Sequence, residues 1–188
     1  MRTAATVLLA LAVSLSFARR ATAAGEHEWQ VALRAGAGYL NADGRRPWGL
    51  AGGLDVEYGL SDAWAVRASF EASTHDVSKE SDTDMRPEGS IRTTAALIGV
   101  TYTVDVLRLL PYGNLQLGMI NLGGAVTNPQ TLLAMELGVG ADYFVSRRFL
   151  AGLSFHYLFE PADLLGDPLN LGTNPFSFTA TARASYLF

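Results

Sequence analysis

Between residues 176 and 188 the chain alternates with period two. Phe176, Phe178, Ala180, Ala182, Ala184, Tyr186 and Phe188 are apolar, Ser177, Thr179, Thr181, Arg183 and Ser185 are polar, and only Leu187 departs from the pattern. Successive side chains of a strand point to opposite faces, so this alternation predicts a β-strand with one apolar and one polar face. Seven further segments alternate in the same way: 28–40, 48–60, 63–73, 91–103, 110–120, 132–144 and 148–160. Their apolar faces include Trp29, Leu33, Leu54, Tyr58, Trp64, Phe70, Leu117, Leu137, Tyr143, Phe149 and Phe155. The opposite faces carry Arg34, Asp55, Glu57, Arg67, Glu71, Asn114, Gln116, Glu136, Asp142 and His156. The 91–103 segment is ambiguous in phase, and there Ala96, Ile98, Val100 and Tyr102 are assigned outward.

Each segment has the ~9–11 residues that a tilted strand needs to cross a bilayer. Backbone polar groups left unpaired in hydrocarbon cost several kcal/mol each, so such a sheet must close on itself, the first strand against the eighth. The expected fold is therefore all-β: a closed eight-stranded antiparallel up-and-down barrel. Short connections (59–63, 104–109, 145–147) alternate with mostly longer ones (41–47, 74–90, 121–131, 161–175) rich in Gly, Pro, Asn and Asp. Membrane barrels put short turns in the periplasm and long loops outside, which places both termini in the periplasm. Outward aromatics at that end form a girdle of Trp29, Tyr58, Trp64, Tyr102, Tyr143, Phe149, Tyr186 and Phe188, suited to a membrane–water boundary.

The N-terminus agrees with export. A basic Met1-Arg2, an apolar run over 3–18 and small residues at Ala21-Thr22-Ala23 read as a signal peptide, residues 1–23, cleaved after Ala23 or Ala24. That leaves 24–188 as one barrel domain. Overall 49% of residues are apolar and only 17% charged, below the ~25% of an ordinary soluble domain. All 18 acidic residues lie in the mature part, and 3 of 14 basic ones (Arg2, Arg19, Arg20) leave with the signal, so the mature charge is 11 − 18 = −7. A nucleic-acid partner would need a basic face. Without cysteine there is no disulfide, thiolate catalysis or Cys-based zinc site.

An eight-stranded barrel is just wide enough for side chains to fill. The inward charges, Arg34, Asp55, Glu57, Arg67, Glu71, Glu136, Asp142, His156 and Arg183, are expected to form a lumen network. Asp55 should pair with Arg67 on the adjacent strand, and Arg34 and Arg183 should share Glu136 or Asp142 across the lumen. Inward Gly36, Gly38, Gly138 and Gly140 make room for the long chains. Two readings of the network stand: charges that fill and neutralise a narrow lumen, or a gate in which switching partners opens an ion path.

The chain resembles the small outer-membrane β-barrel family that includes the OmpA transmembrane domain and OmpX-like and OmpW-like proteins. The resemblance covers the mature chain and rests on the signal peptide, the eight segments, Tyr58-Gly59-Leu60-Ser61-Asp62 at a tight turn, Pro111-Tyr112-Gly113 opening a strand, and the terminal Tyr186-Leu187-Phe188. It implies a bacterial outer-membrane location and contact with lipid and lipopolysaccharide. It also implies insertion by the barrel-assembly machinery, with Tyr186 and Phe188 as the assembly signal. The leading function is a non-enzymatic structural or surface-interaction role through the extracellular loops. A narrow channel for ions or small hydrophobic molecules is the alternative, and a lipid A-modifying enzyme comes third. Oligomeric state stays open, with a monomer the simpler expectation.

Catalytic and metal signals are weak. Lipid A deacylases of similar architecture place a nucleophilic Ser two residues after a His near the end of a late strand; here His156 is followed at that spacing by Leu158. His75-Asp76 resembles residues of outer-membrane proteases, which have ten strands, and reads better as a solvated loop pair. In the acidic 74–90 loop, Asp82-Thr83-Asp84 lacks the glycine and terminal glutamate of an EF-hand. No metal, cofactor or catalytic residue is assigned.

Overall fold

The computed structural model describes residues 26–42, 44–78, 87–106, 108–161 and 175–188. Eight strands follow in chain order: β1 (Trp29–Asn41), β2 (Trp48–Gly59), β3 (Trp64–Val77), β4 (Gly89–Thr103), β5 (Leu109–Gly124), β6 (Gln130–Phe144), β7 (Phe149–Phe159) and β8 (Phe176–Leu187). Each pairs antiparallel with its sequence neighbours, and β1 pairs with β8 from Gln30↔Leu187 to Asn41↔Phe176, closing the barrel. This is the architecture expected from the alternation. The expected signal peptide, and Glu80, Asp82 and Asp84 of the acidic loop, lie outside the described residues.

Two turns at the end carrying both termini use one device. Ser61 Oγ accepts the backbone N–H of Trp64 at 3.2 Å, and Ser146 Oγ accepts that of Phe149 at 3.2 Å. A serine hydroxyl that satisfies turn N–H groups lets a strand reverse within a few residues. At the opposite, loop-bearing end, Ala42 and Arg45 exchange both backbone hydrogen bonds around Gly44, whose φ of 70° is left-handed.

Register fixes the stagger of the wall. From Arg34 the pairing runs one way through Gly53, Glu71, Ala95 and Ile120 to Leu132 in β6. The other way it runs through Arg183 and Gly152 to Asp142, ten residues further along the same strand. Ten residues of stagger over eight strands correspond to a tilt of about 41°. On β1, outward Trp29 and outward Tyr39 are then about 25 Å apart along the axis, the height of an outer-membrane apolar band.

β3 continues past residue 73 to Val77 and β5 past residue 120 to Gly124. Beyond the apolar band the outward positions turn polar, as at Thr74, Asp76 and Asn121, while the inward ones stay buried. His75 is consequently not a solvated loop residue: it is a fully buried inward position of β3, with Nε2 2.8 Å from Ser73 Oγ.

The interior is layered rather than uniformly charged. Leu110, Leu150 and Leu187, with Phe144 against them, form an apolar floor at the end carrying the termini. At the other end Leu40, Ala42, Val77, Ile91, Leu122, Ala125 and Val126 form a roof, beneath which Ala95, Leu97, Ile120, Ala134 and Leu158 pack as a second apolar layer, with Leu132 touching both. Leu187, the residue that departs from the alternation of the last strand, is part of the floor.

Candidate functional site

Between floor and roof lies a belt of charge. Arg34 and Arg183 are register partners on the closing strands, and two like charges side by side are destabilising unless something sits between them. Asp55 does so. Its Oδ2 lies 3.0 Å from Arg34 Nε, 3.6 Å from Arg183 Nε and 2.5 Å from Arg67 Nη2, and Asp55 and Arg67 are fully buried. Three guanidinium groups thus converge on one carboxylate. The outer bonds complete the belt: Arg183 also meets Asp142 and Glu57, Arg67 meets Glu57 at 3.7 Å, and Arg34 meets Glu71 at 3.4 Å.

The adjacent Asp55–Arg67 pair expected from the sequence is present, and Arg183 reaches Asp142. Arg34 does otherwise than expected: it does not cross the lumen to Glu136 or Asp142 but leans sideways to β2 and β3. The reason is Gly53, its register partner, where an added Cβ would stand 3.1 Å from Arg34 Nη2; the missing side chain is where the guanidinium lies. Glu136 forms a separate group on the far wall. Its Oε1 accepts Gln116 Nε2 at 2.8 Å and Asn114 Nδ2 at 3.1 Å, and lies 2.8 Å from His156 Nδ1. A Cβ at Gly138 would stand 2.9 Å from that same imidazole nitrogen, so glycine there makes space for the His156 ring.

Tyr112 is a buried belt member that sequence reasoning leaves unassigned. Its ring centroid lies 5.1 Å from Arg183 Cζ and 5.8 Å from Arg67 Cζ, so both cations face an aromatic surface. The available signal is parity, because Tyr112 shares the face of Asn114 and Gln116. A Cβ at Gly140 would stand 2.5 Å from the Tyr112 ring.

The outward aromatics Trp29, Tyr58, Trp64, Tyr102, Tyr143, Phe149, Tyr186 and Phe188 ring the end that carries the termini. Trp29 stands against Tyr58 (centroids 4.9 Å apart), Trp64 against Tyr102 (4.8 Å) and Tyr186 against Phe188 (5.0 Å). The Phe188 N–H donates to Trp29 O at 2.9 Å, so the last residue is tied to the first strand.

With barrel, belt and girdle established, the sequence itself matches, over residues 6–183, the family described as outer membrane protein beta-barrel domain. The chain belongs to this family. Solved outer-membrane barrels are similar in fold. Neisserial surface protein A is 17% identical with a TM-score of 0.62, the similarity covering 85% of this chain and 97% of that one. The attachment invasion locus protein Ail of Yersinia pestis is 16% identical at a TM-score of 0.55, covering 87% and 99%. OprG from Pseudomonas aeruginosa is 15% identical at 0.56, covering 87% and 98%. No curated protein sequence matches the chain significantly. An outer-membrane barrel exposes its outward face to lipid, which accounts for the many large apolar side chains left uncovered there, among them Leu33, Leu50, Ile98, Val139 and Leu153.

Proposed function

We propose that this outer-membrane barrel is a closed, non-enzymatic wall element whose contacts are made at its loop-bearing, outward-facing end, with both termini in the periplasm. The observation that carries this reading is the filled interior. An apolar floor, a charge belt in which every carboxylate meets a cation or amide, and an apolar roof occupy the lumen in succession. An ion path would have to strip water from its cargo at two apolar layers and also break buried Arg–carboxylate bonds, each of which is costly to open. Tyr186 and Phe188, outward and bound to the first strand, serve in this reading as the recognition end for assembly.

Conductance across planar bilayers tests the proposal. The folded barrel is expected to give no discrete steps. Stepwise conductance that changes on Glu136→Ala would overturn it in favour of the gate. Mass spectra of lipid A from cells with and without the protein are expected to be identical; a lost acyl chain would instead establish catalysis.

A further inference from the structure

A cavity lies on the outside of the wall, at the end carrying the termini. It measures about 590 Å³ and is lined by Val106, Arg108, Leu109 and Tyr143. The β4–β5 turn builds it: Val106 and Leu109 exchange both backbone hydrogen bonds, at 2.9 and 3.1 Å, and Leu109 pairs in register with Tyr143 of β6. Val106 is 53% exposed and stands four residues past Tyr102 of the girdle, about 10 Å further along the axis. Acyl chains end near the girdle, so hydrocarbon does not cover an apolar lining at that depth. Arg108 is exposed on the same cavity, while Asp105 of that turn is half-buried.

Another turn carries what fits this cavity. Leu60, between β2 and β3, is 51% exposed two residues past Tyr58, and Asp62 is exposed beside it. The stagger of the wall puts Leu60 and Leu109 within about 3 Å of one level along the axis. Two strands, β3 and β4, separate the two turns within one barrel, so the match can be made only between copies. The wall above agrees. Around β1 it is shallow: outward Gly52, Ala35 and Ala182 are register partners, with Ala37 and Ala180 next to them. Around β5, on the opposite side, it bulges: outward Ile98, Leu117 and Met135 are register partners, with Met119 and Leu133 next to them. Setting β1 of one copy against β5 of the next brings β2 opposite β4, and so Leu60 and Asp62 to the cavity and Arg108. In a membrane, close packing of small against large side chains favours such a contact. At the loop-bearing end both sides carry an exposed cation, Arg46 and Arg92, so the opposite charges that select the contact are Asp62 and Arg108.

We propose that copies of this chain associate side by side in the membrane, with Leu60 and Asp62 of one seated on the Val106, Arg108, Leu109 and Tyr143 cavity of the next. The two surfaces lie on opposite sides of one barrel, so the contact is head-to-tail and builds rows in place of the simpler monomer. The test uses the full folded protein in lipid vesicles, labelled with donor or acceptor dye through Thr74→Cys on β3, between the two faces; the chain has no cysteine of its own. Energy transfer is expected at least threefold above the value for randomly distributed barrels. Asp62→Arg alone and Arg108→Asp alone should each return it to the random value. An equimolar mixture of these two variants should restore it, because every contact in an alternating row then joins opposite charges. Leu60→Ala, which leaves the charges in place, should lower the excess at least twofold. Heat-modifiable gel mobility confirms that each variant is folded. Random transfer in the unaltered protein, the result of a lipid seated in the cavity, would overturn the proposal. So would charge reversals without effect, or a mixture no better than its components. Photobleaching steps count the copies in each particle: a count that rises past two with the protein-to-lipid ratio is expected, and one that stops at two would overturn the rows.

Discussion

Replacing Asp55 by asparagine removes one charge and almost no volume at the point where Arg34, Arg67 and Arg183 converge. The contacts of 3.0, 2.5 and 3.6 Å amount to roughly 5–7 kcal/mol of gross attraction each at an effective dielectric of 20. Desolvation of the charges, and repulsion among them, cancels most of that sum. Removing one member of a buried charge network costs about 3–5 kcal/mol, since its partners stay buried. Arg34 keeps Glu71, and Arg183 keeps Glu57 and Asp142, but of the described carboxylates Arg67 keeps Glu57 alone, at 3.7 Å, beside the neutral Ser69 and Tyr112. Arg67 is thus the group left most exposed to the loss. Urea unfolding from lipid vesicles measures the effect, followed by the fluorescence of Trp29, Trp48 and Trp64, all outward and lost to water on unfolding. Asp55→Asn is expected to reduce the folded-to-unfolded ratio by about two to three and a half orders of magnitude. Adding Arg67→Gln should restore part of it, with a coupling of about 1–3 kcal/mol. A loss under about 1 kcal/mol with no coupling would refute the claim that the belt holds the barrel together.

Other perturbations probe other layers. Gly140→Ala drives a methyl group into the Tyr112 ring and should cost about 1–3 kcal/mol in the same unfolding experiment, whereas a neutral result would mean that the ring moves freely. Leu187→Ala cuts the apolar floor and is expected to cost about 2–5 kcal/mol without creating conductance steps, because the charge belt above it remains. Leu137→Arg sets a charge on the lipid face near mid-height of β6 and should cost about 2–4 kcal/mol, against a much smaller cost for Thr131→Arg beyond the apolar band; both are read from urea midpoints. Phe188→Ala should lower the amount of heat-modifiable barrel recovered from cells more than it lowers the stability of purified protein; equal losses would argue against an assembly role.

Much of the barrel is legible in the sequence because its two faces meet different surroundings. Where that contrast holds, as between Ala182 and Arg183, alternation is unambiguous. It disappears in β4, where inward Ile91, Ala95 and Leu97 join the roof layers and outward Ala96, Ile98 and Val100 meet lipid, so that both faces are apolar. It reverses around His75, where outward Thr74 and Asp76 stand above the apolar band and a strand reads as a polar loop. The Asp55–Arg67 bond is legible because a tight turn sets the two strands side by side. The partners of Arg34 are not, because they depend on stagger and on the space over Gly53, and neither is a property of a single segment. Apolar closure at both ends of the lumen is hidden for a related reason: Leu110, Leu150 and Leu187 are far apart in sequence and meet only when the cylinder closes.

Arg183 belongs to β8, yet two of its carboxylate partners, Asp55 and Glu57, stand on β2, with the whole of β1 between. The seam where the last-made strand meets the first is therefore clasped by charge from the inside as well as laced by backbone hydrogen bonds. Prying β1 from β8 would leave a guanidinium and two carboxylates without their mates beside acyl chains. Parting that seam sideways toward the bilayer would therefore have to break ion pairs as well as backbone hydrogen bonds.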